Sequence, residues 1–190
     1  MTAIPRSPLT VEDYLALGED EHRRCELQEG SLVLSPSPRP HHVRAVGRLY
    51  QQLVRQVPEG LDVLLEIDVD LQLEPAGEPG TVRRPDLIVV DGDVPDRAES
   101  EGRLIRASEV VVVIEIASLS SRRLDTVIKR GEYAEAGIGY YWIVGIGSPV
   151  PLLPYHLNDR FGYVTDGGIV TGSFQTGTPF PVDVDLTVLR

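Results

Sequence analysis

Three side chains in this sequence are of types that do chemistry together: Asp86, Glu115 and Lys129. Lys129 is the only lysine, and every other residue in the Lys-plus-Arg total of 18 is arginine. Arginine keeps its proton and offers a broad planar fork, whereas lysine is a compact charge that its surroundings can tune and place. Glu115 interrupts the apolar run VVVVIEIA, and Asp86 opens the run DLIVV. A carboxylate on such a strand is expensive unless it is hydrogen-bonded, ion-paired or bound to a metal. A satisfied structural acid and a metal ligand are therefore both open readings. Two oxygen ligands of this kind suit Mg²⁺ or Mn²⁺, which retain several waters and accept phosphate oxygens as further ligands. An ammonium beside them could orient or activate an attacking water and neutralise phosphate charge. Asp125, Lys129 and Tyr133 recur at i, i+4 and i+8, so a helix would carry all three along one face. That face is either an exposed Asp–Lys pair, worth a few tenths of a kcal/mol, or it looks back at Asp86 and Glu115.

The acids need strands and the lysine needs a helix. VRRPDLIVV, EVVVVIEIAS and YYWIVGI are nearly all apolar, rich in Val and Ile, and without helical period. They read as strands buried on both faces in the middle of a sheet covered by helices. The helix of Lys129 is expected over residues 124–136, with Leu124, Val127, Ile128 and Ala134 on its apolar side and the glycines from Gly137 to Gly139 ending it. Residues 10–17 suggest a short helix with Thr10 as N-cap. CELQEGSLVLS reads as two short strands around a turn at Gln28-Glu29-Gly30. SPSPRP is a rigid extended link, because each proline biases the residue before it away from helix. From His42 onward, Val43, Val46, Leu49, Tyr50, Leu53 and Val57 follow helical spacing. Residues 65–73 alternate apolar and acidic, as a strand with one wet face does. Residues 91–108 are polar and read as a loop, and the chain from PYHLNDRFGYVTDGGIV onward as a β-hairpin and edge strands. The fold class is α/β or α+β, with a mixed central β-sheet flanked by helices.

At 190 residues the chain fits one domain, 1–190, with a real core. No apolar run approaches a membrane span, and MTAIPRSPLTVEDYLAL lacks a secretory signal, so a cytoplasmic protein without membrane attachment is expected. Cys25 is the sole cysteine, which leaves no intrachain disulfide and no cysteine-based zinc site. The net charge of −11 argues against nucleic-acid binding through a broad basic field. It leaves room for a locally basic groove beside an acidic metal site, and RPHHVRAVGR, VRRPD, GRLIR and SRRLD are local arginine clusters.

The order acid, acid, lysine resembles the PD-(D/E)XK nuclease superfamily, with Pro85-Asp86 as first element and Glu115 as second. More narrowly, CELQEGSLVLSPSP, His42 with its helix, RRPDLIVV, VVVIEIASLSS, LDTVIKRGEYAEAGIGYYWIV and the C-terminal strands resemble the Uma2 family, formerly a domain of unknown function (DUF820). This likeness covers most of the chain and implies a restriction-endonuclease-like fold with extra hairpin strands. It also implies a Mg²⁺- or Mn²⁺-dependent endonuclease acting on DNA, with Asp86 and Glu115 as metal ligands. The superfamily's usual lysine position, two residues after the second acid, is Ala117 here, and in Uma2-like chains a lysine on the following helix, Lys129, takes that place. Glu26 and His42 fall on family positions as well. Glu26 is then a third carboxylate or a solvated strand end, and His42 a substrate contact or a helix cap. Asp125 joins the catalytic set through its spacing from Lys129. Tyr133 and Trp142 read as core, and His22, His41 and His156 show no spacing that suggests a site. Two other readings stay open: a binding domain of this fold without activity, and a hydrolase of small phosphorylated molecules. A homodimer is compatible with all three.

Overall fold

The computed structural model describes residues 8–18, 25–35, 37–118 and 124–190. Pro36 of the proline-rich link, His22 and the arginine pair of SRRLD lie outside them, as do residues 1–7. The chain begins with α1 (Val11–Leu15), β1 (Cys25–Gln28), β2 (Ser31–Leu34) and α2 (Pro40–Leu53). Next come β3 (Leu61–Leu65), β4 (Val69–Asp70), β5 (Val82–Arg83), β6 (Leu87–Asp91), α3 (Val94–Ser100) and β7 (Ile105–Arg106). The site-bearing stretch follows as β8 (Val110–Ala117), a π-helix (Leu124–Lys129) running directly into α4 (Arg130–Glu135), and β9 (Tyr140–Gly145). The last elements are β10 (Pro151–Asn158), β11 (Gly162–Val164), β12 (Val170–Thr171), β13 (Ser173–Thr176) and β14 (Val182–Asp185).

The main sheet has the order β11-β10-β9-β8-β6-β3, with β12 also on β10. Its three central strands are the three apolar runs expected to be buried. β8 pairs antiparallel with β6 and parallel with β9, so that Ile114 lies between Leu87 and Trp142. Alternate residues serve the two faces. Leu87, Val89, Val112, Ile114, Trp142 and Val144 pack with Ala45, Val46, Leu49 and Leu53 of α2. Ile88, Val90, Val113, Ala117, Tyr141 and Ile143 pack with Tyr133 of α4. Trp142 and Tyr133 are core residues as expected. Glu115, between Ile114 and Ile116, therefore points to the α4 side.

A second sheet, β2-β1-β5-β4-β7, carries the first candidate acid, Glu26. VRRPDLIVV is accordingly two strands in two sheets, joined through Arg84-Pro85. Proline has no N–H for a ladder and biases the preceding residue to extended backbone, so the run breaks there. Residues 65–73 are not one strand either. Glu66 (φ 48°) and Gln72 (φ 53°) sit in the left-handed region, and the chain leaves β3 in one sheet to enter β4 in the other. The polar stretch 91–108 is not all loop, since α3 and β7 lie within it. Thr10 does cap α1: its hydroxyl accepts from the Asp13 N–H, and the Asp13 carboxylate accepts from the Thr10 N–H.

Residues 124–136 hold the largest departure. The first half is π rather than α, and two residues of the expected apolar side face outward, Val127 at 60% and Ile128 at 39% exposed, while Ala134 packs on the core. Asp125, Lys129 and Tyr133 are the buried line instead. Geometry explains how all three fit on it. Four residues of α-helix wind slightly more than one full turn, whereas the wider π turn, closed by i→i+5 bonds, falls short of one in four. With Lys129 at the junction the two deviations oppose, and Asp125 and Tyr133 face nearly the same way.

Candidate active site

Glu115 is 4% exposed, and its Oε1 accepts two hydrogen bonds, from Lys129 Nζ at 2.8 Å and from the Tyr133 hydroxyl at 2.9 Å. Both donors come from the inward line of the π-to-α helix. Lys129 Nζ also lies 3.2 Å from Glu26 Oε1, so one ammonium bridges carboxylates from two sheets. Glu26 is held in turn by the Arg84 backbone N–H on Oε1 at 2.9 Å and by Arg83 Nη1 on Oε2 at 3.0 Å. Arg83 is fully buried, and its remaining donors grip Glu132 of α4, Nε to Oε2 at 2.7 Å and Nη2 to Oε1 at 2.6 Å.

Asp86 stands one residue before β6. The Leu87–Ile114 pairing brings it level with Glu115 on the neighbouring strand. Its Oδ2 accepts the Ile116 backbone N–H at 2.6 Å, and its Oδ1 meets His42 Nε2 at 2.9 Å. His42 lies in the first turn of α2, so Asp86 is reached from the opposite side of the sheet to Lys129. Both side chains of this pair are partly open to solvent, whereas Glu115, Glu26 and Lys129 are nearly sealed.

Protonation follows from these contacts. Burial drives the Glu115 carboxyl above the ordinary range, and the Asp86 and Asp125 charges add to it, with the Lys129 ammonium opposing. Burial also works against charge on Lys129, but Glu115, Glu26 and Asp125 outweigh it, and its pKa rises. Lys129 is therefore a firm ammonium and not a base. Glu26 moves the other way: burial is outweighed by Lys129, by the Arg84 N–H and by Arg83, which hold it below the usual carboxylate range. The hydrogen bond to Asp86 raises His42 despite its partial burial.

All six residues singled out in the sequence lie in this region. Asp86 and His42 form one pair, Glu26, Glu115 and Lys129 one cluster, and Asp125 is buried a turn before Lys129, with its backbone carbonyl accepting from the Tyr141 hydroxyl at 2.9 Å. Sequence reasoning passed over Arg83, Glu132 and the hydroxyl of Tyr133. The arginine pair ahead of Pro85, next to a buried-looking strand, was a signal for the first, and the i+4 spacing from Lys129 for the last. His41 is exposed on α2, and His156 pairs loosely with Asp166 at 3.7 Å. Among the described residues no group of three or more His, Cys, Asp or Glu is arranged to hold a metal by itself. No helix among them is long and apolar enough to cross a membrane.

Mixed sheets flanked by few helices make this an α+β protein of restriction-endonuclease-like fold. A crystal structure of "a putative nuclease belonging to DUF820" from Anabaena variabilis ATCC 29413 superposes with a TM-score of 0.66, covering 96% of this chain and 97% of that one at 16% identity. Residues 11–165 match the Uma2 family, described as "Putative restriction endonuclease", and the chain belongs to that family. No curated protein matches it.

Proposed function

We propose that the protein is a divalent-metal-dependent endonuclease that hydrolyses phosphodiester bonds in DNA. One observation carries this reading: a buried Glu115, level with Asp86 on the adjacent strand, is held by the only lysine in the chain at 2.8 Å. The donor set suits Mg²⁺ or Mn²⁺, since both ligands offered are carboxylates and Asp86 keeps access to solvent. The family description and the family's usual dependence on such metals point the same way.

Asp86 and Glu115 would hold the cation, which when bound supplies Lewis-acid polarisation of the phosphoryl oxygens. Lys129, a firm ammonium, orients the attacking water through its lone pair and draws charge off the phosphate as it builds up. It does not take a proton: the attacking water gives its proton to bulk water, and the departing alkoxide takes one from bulk water in turn. Glu26 keeps that ammonium in place from the second sheet, and Asp125, buried on the same helical line, adds negative charge that favours it. His42 fixes Asp86 through Oδ1, and its partial exposure lets it meet a phosphate of the substrate. Titration calorimetry with Mn²⁺ tests the ligand pair, with strong weakening expected in both Asp86→Asn and Glu115→Gln. Equal affinity in all three proteins would remove the metal site. Plasmid nicking set against hydrolysis of nucleotides then separates DNA from small phosphorylated substrates.

A further inference from the structure

The least expected buried group in the molecule is Arg83, a guanidinium with no exposure at all. Burying an arginine is costly unless its donors are met, and here they are met by two carboxylates from different elements. Glu26 belongs to β1, which pairs with the arginine's own strand β5 through Leu27 and Val82. Glu132 belongs to α4, three residues after Lys129 and one before Tyr133. The two bonds to Glu132 form the forked arginine–carboxylate geometry, which fixes direction as well as distance. One side chain thus ties the second sheet to the helix just past the π-to-α junction.

That junction needs tying. A π turn is rare, appears most often at functional sites, and is less favourable than continued α-helix. If the π segment rewound to α, Asp125 and Tyr133 would swing about 80° apart around the helix axis, and the narrow inward line through Lys129 would widen into a broad stripe. Val127 and Ile128 stand largely outward, 60% and 39% exposed, so burial of the apolar side does little to hold this register.

We propose that Arg83 is the positioning residue of the site. By gripping Glu132 and Glu26 together it holds the Lys129 ammonium between Glu26 and Glu115 and keeps the helix in its π-to-α register. Arg83 touches neither Glu115 nor Asp86 and acts only through these two partners. The inference deepens the nuclease reading and rests on it for its catalytic meaning, but the geometric claim stands by itself.

Because Lys129 is the only lysine, the test has an unusual handle: lysine-specific isotope labelling gives one side-chain signal. In the wild type that signal should be a single ammonium resonance protected from exchange, and acylation of Lys129 by an amine reagent should be slow. In Arg83→Gln, and in Glu132→Gln, which keeps the shape and removes one charge, the signal should shift and broaden. Acylation should speed up about tenfold or more as the site opens locally. If nicking activity exists, kcat should fall about tenfold in Glu132→Gln with KM for DNA unchanged, as expected for a group acting on the chemistry and not on binding. An unchanged lysine signal and unchanged acylation in a folded Glu132→Gln would overturn the proposal, even if its melting temperature drops. Loss of all nuclease activity in the wild type, with the lysine response intact, would sink the nuclease reading and leave the clamp standing.

Discussion

Two helices flank the central sheet, and they bury opposite kinds of surface. α2 turns Ala45, Val46, Leu49 and Leu53 to the sheet and most of its polar residues to solvent, with two exceptions to that division: His42 reaches Asp86, and Val43, expected on the apolar face, is 54% exposed. The helix from Leu124 to Glu135 turns Asp125, Lys129 and Tyr133 inward and leaves Val127 and Ile128 outside. The first arrangement follows from the hydrophobic effect alone, since each apolar side chain leaves water for a packed face. The second is held against that effect by directed bonds: Lys129 and Tyr133 on Glu115, Lys129 on Glu26, and Arg83 on Glu132. α2 should therefore respond to changes of volume, and the other helix to changes of charge and shape.

The largest effects should separate the two cleanly. Leu49→Ala removes a fully buried side chain from α2 and should destabilise the fold by about 2–5 kcal/mol, read from denaturant midpoints. Nicking activity per folded molecule should stay close to wild type. Lys129→Arg does the reverse. It keeps a positive charge for Glu26 and Glu115, and so the fold and Mn²⁺ affinity, but a flat guanidinium cannot take the place of a compact ammonium over a water. Nicking should fall at least about a hundredfold. An arginine variant that nicks normally would return Lys129 to the role of a structural counter-ion.

A finer contrast lies between the two acids on Lys129. Glu26 has a depressed folded pKa, so its stabilisation is present above the ordinary glutamate range and is lost as pH falls through the folded value. Glu115 has a raised one, so its ionisation works against the fold as pH climbs from that ordinary range through its folded value. With a chelator present, melting curves from about pH 4 to about pH 8 should show opposite effects. Glu26→Gln should lower stability most at the alkaline end. Glu115→Gln should be relatively stabilising there, by about 1 kcal/mol or more, while abolishing Mn²⁺ binding. Parallel curves for the two variants would mean that the carboxylates share one environment.

The same contrast marks what could be read from the sequence. β6, β8 and β9 were legible because a strand buried on both faces must be apolar throughout, so Asp86 and Glu115 stood out as exceptions. α2 was legible because its buried face is apolar. The helix of Lys129 was legible in extent, but in orientation only as one of two readings, since the line of Asp125, Lys129 and Tyr133 competed with the apolar side. Hydrophobic periodicity assumes that the apolar side is the buried one, and here Glu115, Glu26 and Arg83, all distant in sequence, reverse that choice. The splits at Arg84-Pro85 and at Glu66 were hidden for a related reason. Each hands the chain from one sheet to another, and local alternation carries no information about which sheet a strand joins. Arg83 itself stood only as one member of the VRRPD arginine cluster until Glu26 and Glu132 were placed around it.

The smallest effect is the sharpest test of that orientation. Val127 belongs to the side that pattern reading turns inward, yet it is 60% exposed. If it were packed on the sheet, replacing it with glutamine would strip a buried apolar side chain and strand an amide, at about 1.5–3 kcal/mol or more. Standing outside, it has little packing to lose, and an unbranched glutamine is easier to accommodate in a helix than a β-branched valine. Val127→Gln should therefore change stability by no more than about 0.5 kcal/mol and leave the Lys129 side-chain signal where it is. A loss several times larger would put the apolar side of this helix against the sheet, and the contrast with α2 would fall with it.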